Sequence, residues 1–213
     1  MQHHAHFFKK LLPEILPAIT NIINASFSKG QFPSALKIAI ITPIIKSLLL
    51  DPEILNHFRP ISNLPLLSKI VEKCILRQLT HHLDSNNLYA QYQSAYRANF
   101  SCETALTKIM DDVTTDLGPN SYVLMALLDF SAAFDTVDQD VLLFRLKNTY
   151  GITGLALSLL ESYLKNRYFK VKINNTVSEA ESLSFGVPQG SILGPILYLL
   201  YVKEIDQDSH LCR

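Results

Sequence analysis

The chain has 213 residues, 48% of them hydrophobic, which suffices for a sizeable core and argues against global disorder. Nineteen basic and nineteen acidic residues give zero net charge, which argues against autonomous tight binding to nucleic acid but is compatible with a locally basic groove. No apolar run reaches the roughly 18–20 residues of a membrane span, and the N-terminus lacks a signal-peptide pattern. We therefore expect an intracellular protein, in the nucleus or the cytoplasm, that does not act on a membrane.

Cysteine and histidine spacing gives no strong indication of a metal site. Cys74, Cys102 and Cys212 show no paired spacing, so they predict neither a zinc site nor a disulfide framework, and we expect reduced thiols. Three histidines near the N-terminus could bind a metal ion, but a disordered polar terminus is the simpler interpretation.

Hydrophobic spacing and capping residues predict the elements of the N-terminal half. Apolar residues at helical spacing predict a helix over residues 7–27, in which two prolines disturb the first turns. The β-branched run 38–45 predicts a strand, and a second apolar stripe predicts a helix over residues 68–82. Ser101 is a suitable N-cap for a third helix. The buried stripe of that helix would consist of Ala105, Leu106, Ile109, Met110 and Val113.

A continuous apolar run from Tyr122 to Leu128 ends abruptly in the carboxylate of Asp129. Such a run predicts a strand that is buried on both faces. Because an isolated buried charge is costly, Asp129 should be protonated, paired or bound to a metal ion. Asp138 is a suitable N-cap for the helix that follows. The simpler interpretation is a strand, a polar turn and a capped helix with solvated acids, and this stretch alone does not decide between the two.

The last third of the chain predicts a helix, a hairpin and a final helix. Thr153 can cap the first of these helices. Residues 169–173 alternate between apolar and polar, as a half-buried strand does, and residues 176–178 would begin the return of a hairpin. The loop Gly-Val-Pro-Gln-Gly at 186–190 precedes Ser191, which can cap the final helix.

Four stretches carry short motifs in a fixed order. Phe-Arg-Pro-Ile-Ser-Asn-Leu-Pro occupies residues 58–65 and is followed by Leu-Ser-Lys-Ile-Val-Glu-Lys, and Tyr-Gln-Ser-Ala-Tyr-Arg occupies residues 92–97. The run that ends at Asp129 continues as Phe-Ser-Ala-Ala-Phe-Asp, and Phe-Gly-Val-Pro-Gln-Gly-Ser-Ile-Leu-Gly-Pro begins at Phe185. Together they resemble reverse transcriptases, most closely those of non-LTR (LINE-type) retrotransposons, and the last two stretches resemble motifs A and B of that family.

The resemblance implies an α+β fold, a fragment of the polymerase right hand without a thumb. Residues 1–30 would form an N-terminal helical extension, residues 31–120 a fingers-like part, and residues 121–213 a partial palm with motifs A and B. The implied activity is that of an RNA-directed DNA polymerase, which transfers nucleotides under the direction of a template. Its partners would be an RNA template, a DNA primer and deoxynucleoside triphosphates, and its cofactors two Mg²⁺ (or Mn²⁺) ions.

The resemblance also implies roles for individual residues near motif A. Asp129 would be the catalytic metal ligand, assisted by the main-chain carbonyl of Phe130. Phe134 would select deoxynucleotides by overlapping a ribose 2′-hydroxyl, a mechanism for which a bulky ring is sufficient; the alternative is an ordinary core ring. Asp135 would make structural hydrogen bonds rather than bind metal.

Four further residues would contact the incoming nucleotide. Lys46 and Arg59 would contact its triphosphate, Arg59 being the better suited because a guanidinium pairs with phosphate oxygens in a fixed fork. The alternatives are a solubilising charge for Lys46 and a structural salt bridge for Arg59. Gln189 would direct its amide at the nucleotide and its template pairing, and Gly190, like Gly186, would permit close backbone approach to nucleic acid.

One departure from the family pattern concerns motif C, a hairpin with two adjacent aspartates after motif B. The 213 residues contain no adjacent aspartates after Gln189, and Asp206 and Asp208 lack the hairpin context. The sequence therefore predicts a truncated reverse transcriptase that does not polymerise alone, since metal ions supply much of the catalysis. The alternatives are a non-catalytic module that binds nucleic acid or protein, and a decaying transposon remnant; the oligomeric state stays open.

Overall fold

The computed structural model describes residues 2–118, 122–127, 129–130 and 132–203. Its helices are α1 (Gln2–Lys29), α2 (Leu66–Ser85), α3 (Cys102–Asp116), α4 (Gln139–Asn148), α5 (Gly154–Leu164) and α6 (Gly194–Val202). Its strands are β1 (Ile38–Ile45), β2 (Phe58–Asn63), β3 (Arg167–Ile173), β4 (Thr176–Val177) and β5 (Glu181–Leu183). Leu128, Ser131, Asp206, Asp208 and Cys212 lie outside the described residues.

The strands form one mixed sheet with β1 at its centre. β1 pairs antiparallel with β2 and parallel with β3, in the order β2-β1-β3-β4, while β5 also pairs with β3. The predicted strand 38–45 is confirmed, whereas β2 was not foreseen because Pro60 disfavours a strand. Pro60 is tolerated since β2 is the edge strand, where it lies opposite Pro43.

Helices α2, α4, α5 and α6 supply most of the hydrophobic core. In α2, α4 and α5 the inward side chains alternate with polar residues at helical spacing, which is the pattern from which these three helices were predicted. Asp138 caps α4, as expected, and its carboxylate accepts from the backbone N–H groups of Asp140 and Val141. Side chains that are no more than 3% exposed include Val71, Leu83, Leu142, Leu146, Leu159, Tyr163, Leu193 and Leu197.

The prediction of a central buried strand before Asp129 is wrong for residues 122–127. They form no regular secondary structure and are exposed, with Tyr122 at 99% and Leu124 at 96%. A strand needs a neighbour for its backbone hydrogen bonds, and none of the described strands pairs with this segment. The apolar run therefore lacks the ladder that would have buried it.

The prediction of a buried stripe on α3 is also wrong. Ser101 does cap this helix, and Thr104 completes a reciprocal capping pair with it. However, none of the helix residues is buried, and Met110 is 58% exposed. Local capping thus forms α3 although no other described element covers its apolar side.

The described residues also bear on the cysteines, the N-terminal segment and membrane crossing, and the expectation for the N-terminal segment is wrong. Cys74 and Cys102 are free thiols. The N-terminus continues α1 rather than forming a disordered terminus. Within the described residues, no helix combines the length and apolar character that crossing a membrane requires.

Candidate functional site

The turn at 132–136 and the loop at 186–190 are joined backbone to backbone. The amide of Val187 donates to the carbonyl of Phe134 at 2.8 Å, and the amide of Gly186 donates to the carbonyl of Val137 at 2.7 Å. The side-chain amide of Gln139 donates to the carbonyl of Gly186 at 3.1 Å. Two motifs that lie about 50 residues apart in the sequence therefore form one rigid unit, hereafter the A–B junction.

Gly186 is required at this junction for two independent reasons. Its φ is +81°, a conformation that costs little only for glycine. A Cβ atom would also lie 2.8 Å from the carbonyl oxygen of Phe134 and 2.9 Å from Cα of Asp135. The space that the sequence assigned to nucleic acid is thus occupied by the protein's own backbone, because the turn at 132–136 passes directly over this glycine.

The other end of the loop is fixed on the edge strand β2. The carbonyl of Gln189 accepts from the amide of Ser62 at 2.8 Å. Gly190 has a φ of +106°, and a Cβ there would lie 3.0 Å from the carbonyl oxygen of Ser62. Gly190 itself is exposed. The loop consequently bridges from the turn after Asp129 to the strand that carries Arg59.

A small cavity of about 30 Å³ lies between the loop and the inner face of the sheet. Asp135, Arg167 and Gln189 line it together with residues of β1 and β2. Its volume is enough for about one water molecule. Burial raises the pKa of the Asp135 carboxyl, so the environment of this group disfavours its charged form.

Asp129 and Phe134 lie near the side chain of Tyr198 on α6. The rings of Phe134 and Tyr198 are 5.4 Å apart at an interplanar angle of 40°. Burial, and then the negative charge of Asp129, raise the pKa of the Tyr198 hydroxyl. Asp129 is exposed and Phe130 is 52% exposed, so the carboxylate and the adjacent carbonyl are accessible from solvent.

Lys46 and Arg59 belong to the β1–β2 hairpin. Arg59 is exposed and lies opposite Ile44 in the register. Lys46 comes directly after β1 and two residues after Ile44. Since side chains two residues apart share a face, both cations belong to the same face of the hairpin. The ammonium of Lys46 donates to the carbonyl of Asn56 at 2.8 Å, whereas the side chain of Arg59 makes no hydrogen bond or ion pair with the described residues.

The structure thus brings some of the candidate residues together and leaves others apart. The A–B junction contains or adjoins three of them, Phe134, Gln189 and Gly190. Asp129 lies close enough to Tyr198, the neighbour of Phe134, for its charge to raise the pKa of the Tyr198 hydroxyl. Among the described residues, no group of three or more histidine, cysteine, aspartate or glutamate side chains could hold a metal ion.

Two residues of the site escaped the sequence analysis. Ser62 donates its backbone amide to the carbonyl of Gln189. It lies within the stretch 58–65 that resembles the family, but nothing in that stretch indicated this contact. Tyr198 follows Gly-Pro at the end of the stretch that resembles motif B, but its position in an almost uniformly apolar helix gave no signal for a place near Asp129.

Residues 48–212, more than half of the chain, match the family model described as Reverse transcriptase (RNA-dependent DNA polymerase). The chain belongs to this family. It is 32% identical to the probable RNA-directed DNA polymerase from transposon X-element of Drosophila melanogaster over 199 residues. These residues are 93% of this chain and 22% of that protein. It is 30% identical over 197 residues to the RNA-directed DNA polymerase from mobile element jockey of the same species, covering 92% and 21%.

These relatives confirm the resemblance to transposon reverse transcriptases that the motifs predicted. A third, the probable RNA-directed DNA polymerase from transposon BS of Drosophila melanogaster, is 29% identical over 184 residues, which covers 86% of this chain and 20% of that protein. The chain spans about a fifth of the length of these relatives. It is a reverse transcriptase domain homologous to the polymerases of non-LTR retrotransposons, with the mixed α/β architecture described above.

Proposed function

We propose that this domain binds a deoxynucleoside triphosphate against an RNA template and a DNA primer, and so serves RNA-directed DNA synthesis. The observation that carries the proposal is the A–B junction, which holds Phe134 and the Gln189 loop as one unit beside Asp129 and the β1–β2 hairpin. In this proposal the domain is part of a polymerase right hand. Residues 1–30 form an extension, residues 31–120 the fingers-like part and residues 121–213 the palm part.

Asp129 is the proposed catalytic carboxylate, with the carbonyl of Phe130 as a second oxygen ligand. Reverse transcriptases generally use divalent metal ions, and Mg²⁺ or Mn²⁺ accepts hard oxygen ligands while retaining several waters. The solvent-exposed Asp129 fits that chemistry. A bound ion would stabilise the charge that develops on the transferred phosphoryl group. The protein's own contribution is to keep the carboxylate exposed beside Phe134 and Tyr198.

The hairpin cations are the proposed triphosphate ligands. Arg59 is exposed and makes no hydrogen bond or ion pair with the described part of the chain, so its guanidinium can bind phosphate without breaking one. Lys46 would first have to release the carbonyl of Asn56. We therefore assign the larger contribution to Arg59.

Phe134 and the loop are the proposed selectivity elements. The carbonyl of Phe134 binds Val187, which restricts movement of the backbone that bears its ring. A fixed ring excludes a 2′-hydroxyl better than a mobile one, because it cannot retreat from the overlap. Gln189 is held by Ser62 through its carbonyl, which leaves its side-chain amide for the nucleotide and template, and exposed Gly190 leaves room beside it.

Binding of a fluorescent deoxynucleotide in the presence of Mg²⁺ tests this assignment. We expect Asp129→Asn and Arg59→Ala to weaken binding by about tenfold or more, the loss expected for a hydrogen bond to a charged group. Asp84→Asn and Arg77→Ala are matched controls, since both residues are exposed on α2 away from the junction. Equal losses in site and control variants would contradict the assignment.

We also propose that these 213 residues do not extend a primer by themselves. Support comes from the sequence, in which no adjacent aspartates follow Gln189. Primer extension on an RNA template with Mg²⁺ or Mn²⁺ tests this, with Asp129→Ala as the control. Extension that disappears in the control would contradict it. Salt-dependent binding of primer–template without nucleotide binding would instead favour a non-catalytic interaction module.

A further inference from the structure

Glu72 makes a long-range contact that neither the motifs nor the proposed chemistry assigns. It lies on α2, is 0% exposed, and reaches the segment that follows the Gln189 loop. Its Oε2 accepts from the amide of Ile192 at 2.7 Å and from the amide of Leu193 at 3.3 Å. Its Oε1 accepts from the hydroxyl of Ser68 at 2.9 Å. The carboxylate thus has three donors, although two of them lie 120 and 121 residues away.

Two of these donors, the amides of Ile192 and Leu193, lie at the N-terminal end of α6. The N-cap residue of that helix is Leu193, which has no side-chain acceptor, so the first amide groups need partners from elsewhere. Ser191 accepts from the amide of Gly194 at 2.9 Å, and Glu72 accepts from the two amides before it. Negative charge is favourable at this end of a helix. A residue on α2 therefore performs the capping that the local sequence provides only in part.

The contact fixes the loop at a point three residues after Gln189. Before it, Val187 is bound to Phe134, and the carbonyl of Gln189 is bound to Ser62. The loop is consequently held to the turn after Asp129 at one end, to β2 in the middle and to α2 at the other end. Without Glu72, the last of these three anchors would be lost, and Gln189 could shift relative to Phe134.

We propose that Glu72 is a positioning residue, which sets the location of Gln189 by anchoring residues 192 and 193 to α2. The cost of burying the Glu72 carboxylate favours this role over a role in stabilising α6 alone. A fully buried carboxylate is costly, and an aspartate or serine at the N-cap position would cap α6 without that cost. What only a carboxylate on α2 can do is tie the loop to a different helix. The effect on nucleotide binding rests on the proposed function, whereas the effect on the loop does not.

Amide hydrogen exchange in the whole 213-residue chain tests the anchoring directly. Glu72→Met keeps a side chain of similar length but removes both carboxylate oxygens that accept from the Ile192 and Leu193 amides and from Ser68, so we expect amide exchange in residues 186–193 to be about tenfold faster or more. Exchange in α4 should be unchanged. Ser68→Ala keeps Oε2 and is the matched control, with a smaller increase at the same amides. If Glu72→Met does not fold, the Ser68→Ala increase confined to residues 186–193 carries the test.

Two outcomes of that experiment would overturn the inference. Unchanged exchange in residues 186–193 would show that Glu72 does not hold the loop. A uniform increase that includes α4 would show that Glu72 only stabilises the fold. Both conclusions are independent of whether the chain binds nucleotides.

Nucleotide affinity then tests whether the positioning acts through Gln189. We expect Glu72→Met to weaken binding of the fluorescent deoxynucleotide about tenfold in the wild-type background and less than about twofold in Gln189→Ala. Equal losses in both backgrounds would overturn the role for Gln189. If the unmodified chain binds no deoxynucleotide, the proposed function fails, and the exchange measurement still decides whether Glu72 anchors the loop.

Discussion

Replacing Gly186 by alanine measures how tightly the A–B junction is packed. A Cβ at this position would lie 2.8 Å from the Phe134 carbonyl oxygen and 2.9 Å from Cα of Asp135. Both are backbone atoms, so they cannot rotate away as the end of a side chain would. The turn and the loop must therefore separate, which strains the hydrogen bonds from Gly186 to Val137 and from Val187 to Phe134.

The magnitude follows from two contributions. Placing an alanine at a φ of +81° costs about 1–2 kcal/mol. Weakening the two junction hydrogen bonds costs about 0.5–1.5 kcal/mol for each bond that is lost. We therefore expect Gly186→Ala to lower the free energy of unfolding by about 2–4 kcal/mol, which is among the larger effects of single substitutions.

Gly151→Ala is the matched control for this experiment. Gly151 has a φ of +66°, but apart from its chain neighbours no atom of the described residues lies within 4 Å of where its Cβ would be. It should therefore lose only the conformational part, about 1–2 kcal/mol. Urea denaturation of both variants measures the difference. If the two losses agree within about 0.5 kcal/mol, the backbone contact between turn and loop is not as close as described, and the reasoning fails.

Three further predictions concern packing, local stability and pH. Tyr150→Phe should lower the free energy of unfolding by about 1–2 kcal/mol in urea, because it leaves the buried Leu200 carbonyl without the hydroxyl that donates to it at 3.0 Å. Ser101→Ala should accelerate amide exchange in α3 while global unfolding changes by less than about 0.5 kcal/mol, because this helix buries no residue; an equal global loss would contradict this. Burial raises the pKa of Asp135 above 3.8, so its charge weakens the folded state only as pH rises above that value. Without added metal, the stability of Asp135→Asn relative to the unmodified chain should therefore increase as pH rises above 3.8, and a pH-independent difference would refute the assignment.

Local signals in the sequence were sufficient where an element is stabilised by its own residues or by its immediate neighbours. The β-branched run predicted β1 to the residue, and Asp138 and Ser101 marked the starts of α4 and α3. The same signals failed wherever burial depends on a distant partner. Residues 122–127 are as apolar as a buried strand, yet burial needs a paired neighbour, and hydrophobicity alone does not say whether one is present.

The glycines of the loop show why the site was harder to predict than the helices. The sequence indicated correctly that Gly186 and Gly190 allow something to approach the backbone closely, and it suggested nucleic acid. The structure places the Phe134–Asp135 backbone at Gly186 and the Ser62 carbonyl at Gly190. A glycine reports that space is needed but not what fills it, because its conformational freedom is the same for a ligand and for another segment of the chain. The consequence is that Gly186 holds the protein's own segments together, whereas Gly190 is exposed and, under the function proposed above, is the glycine that leaves room for a nucleotide.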